Sequence, residues 1–161
     1  MVRHPTNNTF TVDIRGFMMG IYSVEYEWRS SETTSLSTQG LIWNLQTEQN
    51  GDNINLTSYA GALGFRRYVS GELYNGLYVG LYGSGALINV TSPQEATATS
   101  LGLAASVGLK WLNEYNWAID LGFSIAVPVH THINAPDMDL SEQIVLGSIG
   151  TGVTVGIGYA W

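Results

Sequence analysis

Cysteine is absent from this 161-residue chain. That excludes a disulfide frame, a thiolate nucleophile and any Cys-type metal site. Charge is scarce as well, at 12% of residues, about half of the roughly 25% usual in soluble domains. Basic residues are rarest: 6 Lys+Arg stand against 13 Asp+Glu, for a formal net charge of -7. With no basic patch, a nucleic-acid partner is not expected. No apolar run approaches the ~20 residues of a membrane-spanning helix. The opening "MVRHPTNNT" lacks the apolar core of a signal peptide, so the chain reads as a mature form carrying a start Met. All four prolines (Pro5, Pro93, Pro128, Pro136) fall in connections or at strand ends, where a missing amide donor is harmless.

Helical periodicity is missing too. Period-two alternation runs through almost the whole chain and predicts strands near 9–17, 20–30, 34–45, 56–69, 75–90, 98–112, 116–128 and 147–161. The connections alternate in length. "SSET", "SGELYN" and "NEYN" are tight, whereas "QTEQNGDNIN", "TSPQEAT" and the stretch from "HTHINAPDMDLSEQ" to Val145 read as long polar loops. The first connection, near "FMMG", departs from this by being very short. Tight turns at one end and long loops at the other predict a single domain over 1–161: an all-β, eight-stranded antiparallel up-and-down transmembrane β-barrel.

Side-chain parity carries that prediction. One face of the seventh strand reads Trp117, Ile119, Leu121, Phe123, Ile125 and Val127; the other reads Asn116, Ala118, Asp120, Gly122, Ser124 and Ala126. The fifth strand sets Leu77, Val79 and Leu81 against Tyr78, Gly80 and Tyr82. A soluble sandwich also alternates, but a face of Gly and Ala with occasional charges makes no packed core. The tryptophans add a second pattern. Trp28, Trp111, Trp117 and Trp161 lie on the apolar face beside the tight turns, and Trp43 sits at the opposite end. Indole favours a membrane–water boundary, so these five and Tyr159 are read as interface aromatics. In the third strand Leu36 has one parity and Leu41, Trp43 and Leu45 the other; a bulge near Gly40 would reconcile them.

The chain ends on "VTVGIGYAW", in which Val153, Val155, Ile157, Tyr159 and Trp161 alternate with small residues. This resembles the C-terminal signal by which bacterial outer-membrane barrels are recognised by their assembly machinery. As an architecture the whole chain resembles the small eight-stranded outer-membrane proteins of Gram-negative bacteria, the OmpA transmembrane domain and the OmpX group. The resemblance implies residence in the outer membrane, periplasmic termini, contact with lipid and lipopolysaccharide, and the barrel-assembly machinery as a partner.

Inward parity collects Asp13, Arg15, Glu25, Glu27, Arg66, Lys110 and Asp120, with Arg29 at the margin. An eight-stranded lumen is narrow enough for side chains to fill, so these charges read as a salt-bridge network that plugs the barrel; the competing reading is a gated ion path. His130 and His132, at i and i+2 and followed by Asp137 and Asp139, are the only metal-site candidates, and a weak pair without a fixed third ligand. No cofactor is expected. The three long loops carry Glu48, Asp52, Glu95, Asp137, Asp139 and Glu142 without any Lys or Arg. The function expected is non-enzymatic: surface interaction, adhesion or envelope maintenance through acidic extracellular loops. Two alternatives stand beside it. A lipid A-modifying hydrolase or acyltransferase would draw on His130, His132, Ser141 and Glu142. A soluble lipocalin-like carrier would turn the apolar faces inward around a ligand.

Overall fold

The computed structural model describes residues 6–14, 20–49, 52–91, 95–134 and 150–161. Its elements are β1 (Asn8–Asp13), β2 (Ile21–Arg29), β3 (Thr34–Gln49), β4 (Asp52–Tyr68), β5 (Gly76–Val90), β6 (Ala96–Leu112), β7 (Trp117–Asn134) and β8 (Gly150–Ala160). Each strand pairs antiparallel with its neighbour in sequence. β1 pairs with β8 from Thr9↔Ala160 to Asp13↔Gly156, which closes the sheet into a barrel. Closure leaves neither β1 nor β8 as an edge strand, the usual liability of an open sheet.

The alternation predicted from sequence sorts the two faces. Leu63, Leu101 and Leu103 are each more than 60% exposed on the outside. Glu27, Lys110 and Asp120 are at most 1% exposed inside. The interior is therefore polar and the exterior apolar, the inverse of a soluble β-domain. At the tight-turn end the interior is closed by Tyr68, Tyr74 and Tyr78, which pack together with ring centroids 5.8–5.9 Å apart. Tyr74 belongs to the 70–75 turn and holds φ at 63°. Its phenol donates to the Asn7 carbonyl at 3.0 Å, tying that turn to the N-terminal segment. Burial pushes the Tyr74 phenol pKa up, which keeps that donor protonated. In the 113–116 turn Asn116 is left-handed at φ 66°, a conformation Asn tolerates. The Asn113 carboxamide oxygen accepts from the amides of Tyr115 and Trp117.

Three expectations need correction. First, β3 pairs continuously with β2 and β4, with no bulge near Gly40. Ile42 then faces outward with Leu36, while Trp43 shares the inward parity of Ser35, Ser37 and Gln39. Trp43 is therefore not an interface aromatic. Second, the expected long loop at 46–55 is mostly strand: β3 and β4 continue until Gln49 faces Asp52. Asn50 and Gly51 lie between them, and Asn-Gly is a strong two-residue hairpin signal. Third, β7 runs six residues past its predicted end at 128, to Asn134. The register shifts there, with Gly102 opposite Pro128 but Leu101 opposite His130. Val129 is the extra residue, beside a proline that has no amide to give the ladder.

Candidate functional site

The inward side chains of four strands converge in the lumen. Glu25 and Glu27 come from β2, Arg66 from β4, Lys110 from β6 and Asp120 from β7. Arg66 is the hub. Its Nη1 donates to Glu27 Oε1 at 2.9 Å and to Asp120 Oδ2 at 2.8 Å, and its Nη2 to Glu25 Oε2 at 2.5 Å. Its Nε reaches the Tyr82 hydroxyl at 2.6 Å, and the guanidinium lies 4.2 Å from the centroid of the Tyr78 ring. Lys110 Nζ pairs with Glu27, stands 3.3 Å from Asp120 Oδ2 and 3.5 Å from Glu25 Oε1, and donates to Thr9 at 3.4 Å.

The carboxylates are held from their other sides. Glu27 Oε2 accepts from Ser35 at 2.6 Å and from Tyr68 at 3.2 Å. Asp120 Oδ1 accepts from Tyr78 at 2.8 Å, and Glu25 Oε2 from the Gln39 amide at 2.5 Å. Buried charges persist only when paired and hydrogen-bonded, and nearly every atom here satisfies that condition. Five side chains from four strands thus brace the barrel across its axis. Chemically this is a plug: apart from Glu25 Oε1, every carboxylate oxygen of the cluster is held by a donor.

Glycine makes room for it. A Cβ on Gly108 would meet the Tyr78 hydroxyl and lie 2.6 Å from the Leu121 carbonyl, and one on Gly122 would stand 2.7 Å from the same hydroxyl. A Cβ on Gly80 would stand 2.7–2.8 Å from the Tyr82 ring and hydroxyl. The small inner face is the negative imprint of the tyrosines that hold Asp120 and Arg66.

The remaining sequence-predicted residues are placed as follows. Asp13 faces inward and lines a cavity with Glu25 and Asp120, on the long-loop side of the cluster. Arg15 lies outside the described residues, as do Asp137, Asp139, Ser141 and Glu142. Arg29 is exposed at the tight-turn end. Trp28, Trp111, Trp117, Tyr159 and Trp161 are on the outer face. Trp117, Tyr159, Trp161, Tyr26 and Trp28 form a continuous row, successive ring centroids being 5.8–6.5 Å apart. His130 and His132 stand exposed on the outside of β7, because the extra residue at Val129 inverts their parity. Among the described residues no third His, Asp or Glu joins them in a ligand group; the one group of three is Glu25, Glu27 and Asp120. Ser35, Gln39, Tyr68, Tyr78 and Tyr82 are site residues that sequence reasoning missed. The available signal was tyrosine on a face otherwise made of Gly, Ala and Ser.

Comparison with described protein families finds no match, and comparison with curated proteins finds none. Among the solved structures that share the fold are two of the same protein. One is Ail, the attachment invasion locus protein of Yersinia pestis, in complex with the heparin analogue sucrose octasulfate. It is 12% identical, with a TM-score of 0.60 over 98% of this chain and 100% of that one. The other is a second crystal structure of Ail, also 12% identical, with a TM-score of 0.54 over 97% of this chain and 95% of that one.

Proposed function

We propose that this protein is an integral outer-membrane barrel whose lumen is shut by the Arg66–Lys110 network and whose work is done at its surface, as an adhesion, surface-interaction or envelope-maintenance protein. The observation that carries the reading is the inverted polarity of the barrel. Large apolar side chains cover the outside, and five buried charges fill the inside. Lipid is the solvent for such an exterior, since a closed barrel satisfies every ladder amide internally. The aromatic row from Trp117 to Trp28 lies at the level expected of an interfacial girdle. A soluble carrier needs the opposite arrangement, with an apolar cavity, and a conducting pore needs an open axis. We read the termini and tight turns as periplasmic and the β3–β4 hairpin and longer loops as external, because outer-membrane barrels in general carry short periplasmic turns and longer extracellular loops.

The shared fold with Ail, a protein named for attachment and invasion, supports a surface role. Its polyanionic ligand is not proposed for this chain. The end of the β3–β4 hairpin and the two remaining long connections carry six carboxylates and no Lys or Arg, so a sulfated sugar would be repelled. A basic partner, or lipopolysaccharide bridged by divalent cations, fits that rim. The C-terminal strand, ending in Trp161, is the segment inferred to be read by the barrel-assembly machinery.

Refolding from urea with and without detergent micelles tests the proposal. The expected result is a β-type circular dichroism spectrum and a heat-dependent gel shift only in micelles. A monodisperse β-protein in plain buffer would overturn it.

A further inference from the structure

The charges in the plug do not balance. Three carboxylates, Glu25, Glu27 and Asp120, face two cations, Arg66 and Lys110, leaving one negative charge in a site where an uncompensated charge is costly. Three buried side-chain oxygens have no hydrogen-bond partner among the described residues: Ser37 Oγ, which does not line the cavity described next, and Glu25 Oε1 and Thr11 Oγ1, whose residues do. Lys110 Nζ approaches Glu25 Oε1 no closer than 3.5 Å. Thr11 is 4% exposed and Glu25 8%. Both line a cavity of about 40 Å³ on the long-loop side of the cluster, room for about three water-sized occupants if each needs roughly 10–15 Å³.

The other walls of that cavity are chemically uniform. Asp13 and Asp120 supply carboxylates, Ser23 and Thr154 hydroxyls, and Gln39 an amide whose nitrogen already donates to Glu25. Every lining residue therefore offers a side-chain oxygen, and none offers sulfur or imidazole. Oxygen-only, carboxylate-bearing sites of six to eight donors suit hard cations, calcium before transition metals. Water alone would satisfy the two orphan oxygens of the cavity but leave the negative charge.

We infer that the cavity above the plug is a cation site of calcium type, in which Glu25 Oε1 and Thr11 Oγ1 are the inner ligands and the cation offsets the excess negative charge of the plug. The bound ion would lock β1 and β2, which carry these two ligands, to the β4–β6–β7 side through the shared cluster. It lies inside the barrel and is separate from any bridging of acidic loops to lipopolysaccharide. It also does not depend on what surrounds the outer face, because the same titration can be run in whichever solvent keeps the barrel folded.

The test is calcium titration by calorimetry on the refolded full chain, with terbium luminescence sensitised through Tyr78 as a second readout. One buried site is expected, weakened about tenfold or more by Thr11→Val and by Glu25→Gln, taking the roughly 10–100-fold loss seen for outer-shell partners as a floor. Glu95→Gln, in a loop, should leave it unchanged. Thr11→Val alters no charge and carries the test if Glu25→Gln fails to refold. No saturable calcium binding, or binding indifferent to Thr11→Val, would overturn the inference; the first would mean that a proton balances the plug instead.

Discussion

Lys110 offers the sharpest test of the plug. Its ammonium is fully buried, pairs with Glu27, and has Asp120 Oδ2 at 3.3 Å and Glu25 Oε1 at 3.5 Å. Replacing it by Met keeps the unbranched stem and removes only the charge and its donors. Three carboxylates would then share Arg66 alone. Breaking a buried ion pair from one side costs about 3–5 kcal/mol, because the partner is left uncompensated. Arg67, the next residue to the hub, faces outward and is exposed. Arg67→Met should stay within roughly 0.5 kcal/mol of the parent.

Urea unfolding in micelles reads the difference. With a slope of about 1–3 kcal/mol per molar, Lys110→Met should lower the midpoint by roughly 2 M. A second change should recover part of that loss. Glu27→Gln in the Lys110→Met background restores the original balance of one excess negative charge, so the double variant should be more stable than the sum of the single effects implies. A loss below about 1 kcal/mol for Lys110→Met, or simple additivity of the pair, would refute the reading of the cluster as a mutually dependent brace.

Three further outcomes follow from the same structure. Single-tryptophan variants in brominated-lipid bilayers should show Trp117 and Trp161 quenched and Trp43 spared; quenching of Trp43 equal to Trp117 would contradict its inward parity. Gly108→Ala should destabilise by about 1–3 kcal/mol through overpacking against Tyr78, whereas Gly83→Ala should be near neutral, since the nearest atom its Cβ would meet is the Leu63 carbonyl at 4.0 Å; equal effects in thermal melts would refute the imprint argument. Sucrose octasulfate should show no calorimetric binding at physiological salt, and a micromolar affinity would overturn the repulsive reading of the acidic rim.

How far the sequence carries depends on whether a feature is periodic or local. Alternation is periodic, and each strand repeats it, so β5 to β8 were legible down to which residues face out. Their tight turns were legible for the same reason, since SGELYN and NEYN interrupt the alternation cleanly. Parity arguments fail wherever one residue is inserted. The pattern from Val127 onward would have turned His130 inward, yet the extra residue beside Pro128 places it outside. In β3 the error ran the other way. Leu41, Trp43 and Leu45 are large and apolar, so they invited a bulge that would turn them outward, but continuous pairing keeps Trp43 on the inner parity. Hydrophobicity near a barrel mouth does not report facing, because lipid no longer sets the preference there.

The site was legible as a set of charges and not as a circuit. Inward parity on four strands gives Glu25, Glu27, Arg66, Lys110 and Asp120, but it carries no information on height along the axis. Only the strand registers set that height: Glu25↔Gln39 and Glu27↔Ser37 across β2 and β3, Arg66↔Gly80 across β4 and β5, Lys110↔Asp120 across β6 and β7. Once these levels coincide, Arg66 and Lys110 must share the same three carboxylates, and the two cations cannot neutralise all three. The tyrosines follow from that constraint. Tyr68 and Tyr78 supply neutral donors to carboxylate oxygens where a third cation would not fit, and the glycines facing Tyr78 supply its volume. Glu25 Oε1 is the carboxylate oxygen that neither the cations nor the phenols reach by a hydrogen bond, so the excess charge and the cavity share one address in the barrel.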